Sequence, residues 1–242
     1  MDFALVIQAF DDSCLRWLNS YMLRSPLFDK IIERLLNADE LKFGVLIAVF
    51  CWLWFKRDGD RRERRAGVTV AIAGGLVGMV FARLFALLLP FRERPLARSD
   101  LGFPFALPAD FETPLRTWSA FPSDHAVLAF ALATGLWLIS RRLGAIAFLH
   151  AFFVIGLPRV YFGLHHPSDV IVGTVFGILV TLLVNQAPLR ERLVDATLRF
   201  EARATGPFYA ASFLLLHEMA IVFASLRALA QSSFKLLRIV IG

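Results

Sequence analysis

Charge is scarce in this chain: Asp, Glu, Lys and Arg make up only 19% of its 242 residues. Against them stand 57% hydrophobic residues, 24 phenylalanines among them, and a mean hydropathy of +0.62. A soluble domain of this length could not cover so much apolar surface with so few charges. Cysteine is scarcer still. Cys14 and Cys51 are far apart and Cys51 lies inside an apolar run, which argues against a disulfide framework or a thiolate metal site. No cleavable signal peptide is expected, because the first apolar stretch is short and runs into Asp11 and Asp12. No internal repeat, linker or low-complexity stretch stands out. The net charge of +6 is not the footprint of a nucleic-acid binder, since the basic residues collect at the ends of apolar runs rather than along one face. No nucleic-acid partner is expected.

What is present is a series of long uncharged runs bounded by Arg or Lys, the pattern of an integral membrane protein. Six candidate spans fall at roughly 41–56, 66–87, 124–140, 143–160, 168–186 and 208–226. Several of their uncharged cores are only about 13–17 residues, short of the roughly 20 needed to cross. Snorkelling Lys42 and Lys56 are expected to bracket the first. Residues 2–38 read as interfacial amphipathic helices, because Arg16, Arg24, Lys30, Glu33 and Arg34 interrupt the apolar residues too often for a span. The tail from Arg227 to Gly242 has the same character. Gly74, Gly75 and Gly78 predict close helix packing in the second span. The fold class is therefore all-α: a polytopic transmembrane helix bundle of about six spans with interfacial amphipathic helices at both termini. Basic residues crowd the loops 56–65, 141–142 and 190–203, and the positive-inside rule makes their shared side cytoplasmic. The loop 88–123 and the connection 158–168 then face outward.

Those two outward segments carry the polar chemistry. In RVYFGLHHPSD, from Arg159 to Asp169, the carboxylate follows His165 by four positions on a turn leading into a helix. That spacing lets Asp169 reach one imidazole nitrogen, fix the tautomer and leave the other nitrogen free to attack. Pro167 suits the first turn of the fifth span, whose unpaired N–H groups favour a phosphate. A plain interfacial loop with two adjacent histidines is the structural alternative. Pro122-Ser123-Asp124-His125 opens the third span on the same face. Ser123 is a natural N-cap whose hydroxyl can hold a phosphoryl oxygen, and His125 is placed to protonate a leaving oxygen. Here a simple cap followed by a polar residue is the alternative. Arg92-Glu93-Arg94-Pro95 follows the second span, and Arg83 lies roughly 26 Å along that span from Ala66, where it must snorkel or find an anion. For Arg92 and Arg98 an anionic lipid headgroup is as good a partner as a catalytic phosphate. Arginine forks beside a carboxylate-flanked histidine indicate phosphoryl chemistry at a membrane surface. No His/carboxylate set has convincing metal-ligand spacing. His150, His217 and Glu218 are the remaining ionisable residues within spans; for His217 and Glu218 a hydrogen bond between helices is preferred over a substrate contact, and a partly interfacial 208–226 is an alternative.

The three clusters resemble the signature of the type 2 phosphatidic acid phosphatase (PAP2) superfamily, which also contains vanadium haloperoxidases. The family pattern is a Lys, six residues, then Arg-Pro; then Pro-Ser-Gly-His; then Ser-Arg, five residues, His, three residues, Asp. It fits here at Arg94 and Pro95, at Pro122, Ser123 and His125, and at Arg159, His165 and Asp169, which singles out His165 over His166. Three positions depart from it. Asp124 replaces the glycine, Pro158 replaces the serine before Arg159, and the lysine position falls on Leu87, leaving Arg83 or Arg92 to supply the cation. Asp124 could raise the pKa of His125 or repel a highly charged substrate.

Three parts are expected: interfacial helices over 1–40, a transmembrane PAP2-like catalytic core over 41–187, and an extra helix with an amphipathic tail over 188–242. The resemblance itself covers roughly 66–186. It implies that His165, oriented by Asp169, attacks phosphorus. Arg94, Arg159 and Ser123, with Arg83 or Arg92, stabilise the equatorial oxygens, and His125 protonates the leaving group. No cofactor and no metal are implied. The expected activity is metal-independent hydrolysis of a lipid phosphate monoester or diphosphate at the extracytoplasmic face of a bacterial inner membrane, with polyprenyl diphosphate the favoured substrate. The alternatives are a lipid phosphotransferase using the same phosphohistidine and a non-catalytic lipid-headgroup binder or transporter. Haloperoxidase chemistry belongs to the soluble branch and is not expected.

Overall fold

The computed structural model describes residues 3–101 and 118–225, and among them the chain is helical with no strand. The order is α1 (Phe3–Asn19), α2 (Pro26–Asn37), a π-turn (Glu40–Gly44) running into α3 (Val45–Phe55), α4 (Arg61–Leu88), α5 (Asp124–Ile139), α6 (Arg141–Tyr161), α7 (Pro167–Val184), α8 (Ala187–Arg203) and α9 (Thr205–Ala220). Two short 3-10 turns, Pro95–Ala97 and Ser99–Leu101, shape the loop after α4.

Helix starts follow local chemistry. The Asp60 side chain caps α4 by accepting from the Glu63 N–H at 3.0 Å, and Pro90 lies just past its end. Ser123 caps α5 as its sequence predicts, and Pro167 occupies the first turn of α7. α5 is the axis of the bundle, buried from Ala126 to Leu136 between α4 and α7. Bare backbone makes this possible. A Cβ on Gly135 would stand 2.1 Å from that of Ala71, one on Gly74 2.5 Å from Thr181 Oγ1, and one on Gly177 2.3 Å from the Val127 carbonyl. The close packing expected at Gly74, Gly75 and Gly78 is present.

α4, α6 and α7 are long and apolar enough to cross a membrane, and they leave Val80, Phe81, Phe152, Leu179 and Leu183 exposed. The other three expected spans form shorter helices of 11, 16 and 16 residues: α3, α5 and α9. Three expectations need correction. The segment 208–226 does not continue as one helix: α9 stops at Ala220, and Val222 and Phe223 take φ of 52° and 57°. Residue 226 and the tail 227–242 lie outside the described residues. The basic stretch 190–203 is helix, not loop, because Leu193, Val194 and Leu198 recur at helical spacing and pack inward. Lys42 does not snorkel. It is buried, and its ammonium binds the Leu36 carbonyl at 2.8 Å and Asp39 at 2.7 Å. His150, a functional candidate by its position, donates from Nε2 to the Lys42 carbonyl at 2.8 Å and ties α6 to the π-turn.

The sidedness expected from charge is present within the bundle. Arg62 pairs with Asp195 and Arg65 with Glu201 at 2.8 and 2.6 Å, Arg190 pairs with Glu63, and Ile139 lies over Gly67. The basic segments thus share one end, and the three polar clusters meet at the other. α1 and α2 are helices that bury Leu15, Met22 and Ile32 against Leu101, Val160 and Tyr161, while Leu5, Val6, Trp17, Leu27 and Ile31 stay exposed.

Candidate active site

The site forms where the starts of α5 and α7 touch. The Ser123 N–H donates to the Asp169 carbonyl at 3.2 Å, so each helix start holds the other. Gly163, at φ 65°, makes the turn that brings the chain from α6 to His165, a backbone state that glycine adopts without a Cβ clash. Its carbonyl accepts from the Leu96 N–H at 2.9 Å, which docks the Arg92–Arg98 loop onto the histidine loop.

His165 is buried, and its Nδ1 lies 2.8 Å from the Ala120 carbonyl. A carbonyl only accepts, so Nδ1 carries the proton and Nε2 keeps the lone pair. Nε2 faces Arg94 Nη1 at 3.4 Å, while the same guanidinium nitrogen donates to the Leu164 carbonyl at 2.6 Å. Burial, then the Arg94 and Arg159 guanidiniums, hold the His165 pKa well below the usual imidazole range, so the ring is neutral. Asp169 is not hydrogen-bonded to His165 as expected: its Oδ2 is 3.9 Å from Nδ1. That oxygen instead accepts from the His166 backbone N–H at 2.8 Å and from His166 Nδ1 at 3.1 Å. The orienting group on His165 is the Ala120 carbonyl, a role that no local spacing announces.

His125 meets the carboxylate expected beside it, but burial, then the Arg159 guanidinium, lowers its pKa rather than letting Asp124 raise it. The His125 Nδ1 donates to Asp124 at 2.7 Å, and Asp124 pairs in turn with Arg83. Arg83 also lies under the Trp118 ring, 4.8 Å from its centroid. A polar pocket is lined by Arg83, Arg94, Ser119, Pro122, Asp124 and His165, with Ala82 and Ala86 at its α4 wall. Arg92 is absent from that wall. Its fork is bound to Asp169 and Ser168 through Nη1 and to Asp11 through Nη2. Arg98 forms a two-pronged pair with Asp12, at 2.7 and 3.0 Å. Arg159 is buried, and its backbone carbonyl accepts from the Leu164 and His165 N–H groups at 2.9 and 3.3 Å. The assembly brings a neutral imidazole, its Nε2 lone pair turned to Arg94, together with the Arg83 and Arg94 guanidiniums at one pocket. Asp124 on the pocket wall pairs with a second imidazole, His125. Such a set can bind a tetrahedral oxyanion and attack its central atom.

Residues 91–192 match the family model of the PAP2 superfamily. The stretch that carries the candidate site is thus PAP2-like. The PAP2 match contains all three clusters; Arg83 and Asp11 lie outside it. The chain is similar to the lipid A 1-diphosphate synthase of Escherichia coli, 27% identical over 64% of each chain. It is 26% identical to an undecaprenyl-diphosphatase of Bacillus subtilis, over 64% of this chain and 72% of the relative. A third curated relative, the bacitracin transport permease protein of Bacillus licheniformis, is 35% identical, and the chain spans only 32% of its length. Among solved structures, a transmembrane PAP2-type phosphatidylglycerolphosphate phosphatase of Bacillus subtilis shares the fold, with a TM-score of 0.51 at 18% identity, over 76% of this chain and 86% of that one.

Proposed function

We propose that this protein is an integral membrane lipid phosphatase that hydrolyses a phosphate monoester or diphosphate at the extracytoplasmic face through a phosphohistidine. The observation that carries the reading is the neutral His165, held at Nδ1 by the Ala120 carbonyl with Nε2 turned toward Arg94 at the pocket. Nε2 attacks phosphorus as the bond to the leaving oxygen breaks, and His125 gives that oxygen a proton. Arg83, Arg94, Arg159 and Ser123 meet the charge on the equatorial oxygens. Of the two cations proposed to replace the family lysine, Arg83 is the better candidate, because Arg92 is engaged by Asp11 and Asp169. Water then attacks the phosphohistidine, with the deprotonated His125 taking its proton. The catalytic core spans 41–187, between the interfacial helices of 1–40 and the segment 188–242. Polyprenyl diphosphate is the favoured substrate, in line with the undecaprenyl-diphosphatase relative. Transfer of the phosphoryl group to a second lipid is the alternative, motivated by the diphosphate synthase relative.

Phosphate release by purified protein in detergent with EDTA tests this, with wild type beside His165→Ala across polyprenyl diphosphate, phosphatidic acid, phosphatidylglycerol phosphate and lipid A. Release that survives EDTA and is lost in the variant is expected. No release without a lipid acceptor, and phosphorylated acceptor when one is added, would replace hydrolysis with phosphotransfer. Wild-type rates in His165→Ala would remove the nucleophile assignment.

A further inference from the structure

α1 contributes a carboxylate that the reaction as proposed does not use. Asp11 is only 1% exposed, on a helix whose other flank carries the exposed Leu5, Val6 and Trp17. A buried carboxylate persists only where donors replace its lost water. Asp11 has three: the Ser168 N–H at 2.9 Å, the Ser168 hydroxyl at 2.6 Å and Arg92 Nη2 at 2.6 Å. All three come from residues that also border Asp169. Ser168 precedes it in the chain, and Arg92 donates its other terminal nitrogen to it. The neighbouring Asp12 provides the contrast. It meets Arg98 rather than Arg92, and Arg98 keeps Asp100 as a second partner at 2.7 Å.

We propose that Asp11 is a positioning residue, which from α1 fixes the Arg92 fork and the Ser168 turn so that Asp169 and the His165–His166 turn keep their working geometry. The guanidinium is planar and rigid. Held at Nη2 by Asp11, it can offer Asp169 only Nη1, which leaves Asp169 Oδ2 for the His166 N–H groups. Without Asp11 the fork turns to take both Asp169 oxygens, the bonds from His166 are lost, and the turn that presents His165 shifts. Site assembly then depends on α1 being seated, although α1 lies outside the stretch that carries the family match.

The inference rests on the proposed reaction at His165, and its test separates the two. Full-length wild type, Asp11→Ala, Asp11→Asn and Asp12→Ala are purified in detergent, labelled with 15N-histidine, and assayed on the lipid phosphate that wild type turns over best. Asp11→Ala is expected to lose about 10- to 100-fold in kcat with KM held within about threefold, the signature of misplaced rather than missing contacts. Asp11→Asn falls between, both shift the His166 Nδ1 resonance, and Asp12→Ala matches wild type. A folded Asp11→Ala with wild-type kcat and an unshifted His166 signal overturns the proposal; if that variant does not fold, Asp11→Asn decides on the same two readouts. Should wild type turn over no lipid phosphate, the proposed function falls, and the His166 signal in Asp11→Asn alone decides whether Asp11 positions the turn.

Discussion

Gly173 is the position at which a single methyl group should separate the two halves of the site. It lies one turn beyond Asp169 on α7 and faces the start of α5, where a Cβ would stand 2.6 Å from the Ser123 carbonyl oxygen and 3.1 Å from the Ala126 Cβ. Ordinary carbon–oxygen contact needs the helices to part by about 0.8 Å or more at this level. The atom in the way is backbone, and its carbonyl already accepts the first bond of α5 from the Val127 N–H at 3.0 Å, so it cannot swing aside cheaply. The displacement instead stretches the 3.2 Å bond from the Ser123 N–H to the Asp169 carbonyl, and it moves Ser123 and His125 away from His165. Overpacking of this kind costs about 1–3 kcal/mol of stability. Misplacement approaching 1 Å lowers turnover by up to about 100-fold, so Gly173→Ala should fold with a lower Tm and lose about 10- to 100-fold in kcat. Gly206→Ala is the control, since a Cβ there meets nothing within 4 Å. Thermal melts and phosphate release on the same detergent preparations read both effects. A folded Gly173→Ala with kcat within about twofold of wild type would refute the claim that these helix starts set the catalytic geometry.

The two arginines that sequence left interchangeable should separate by assay. Arg83→Ala is expected to keep its fold and lose about 100-fold in kcat/KM, whereas Arg92→Ala leaves Asp11 and Asp169 buried without their shared cation and should lose about 3 kcal/mol of stability in denaturant titrations. Equal stability losses in the two variants would contradict that assignment. Because the His165 pKa is lowered, the unfolded chain takes up a proton near the ordinary imidazole pKa of about 6.5 that the folded chain refuses. Stability should therefore fall as pH drops below about 6.5 toward the folded pKa, and His165→Asn should lessen that fall. Matching pH–stability curves for the two proteins would count against a neutral His165. Consistently, the His165 15N signals should report the Nδ1–H tautomer unchanged from pH 8 to about 6.5.

What sequence revealed, and what it did not, divides along local and non-local lines. α4, α6 and α7 were legible because long apolar runs between charged ends have one stable solution in lipid. Ser123 and Pro167 were legible as helix starts because capping is decided within a few residues. The partner of Asp169 was not. His165 and His166 both lie within its reach by spacing, and the Ala120 carbonyl, 45 positions away in the chain, takes the Nδ1 proton of His165. Asp11 read as the end of a short apolar stretch and Lys42 as a snorkelling flank, and both are buried by partners that periodicity does not reveal. α8 read as loop because its four arginines outweighed the apolar spacing of Leu193, Val194 and Leu198.

Two of the departures from the family pattern answer each other in space. The lysine position falls on Leu87, which is 81% exposed and does not line the pocket. Arg83 lies one helical turn earlier, near the same face of α4, and it lines the pocket that Leu87 leaves. The glycine position is Asp124, whose carboxylate pairs with that arginine on one side and with His125 on the other. An arginine moved by one turn reaches farther than a lysine and presents a fork, which needs an acceptor while no phosphate is bound. Asp124 supplies the acceptor from the first turn of α5, where a negative charge is favoured by the exposed N–H groups. Either change alone would leave an unbalanced charge against the pocket. Together they make an Arg83–Asp124–His125 chain in which a phosphate drawing on Arg83 would leave Asp124 to the His125 Nδ1–H, the pairing that favours a protonated Nε2 for the proposed transfer to the leaving oxygen.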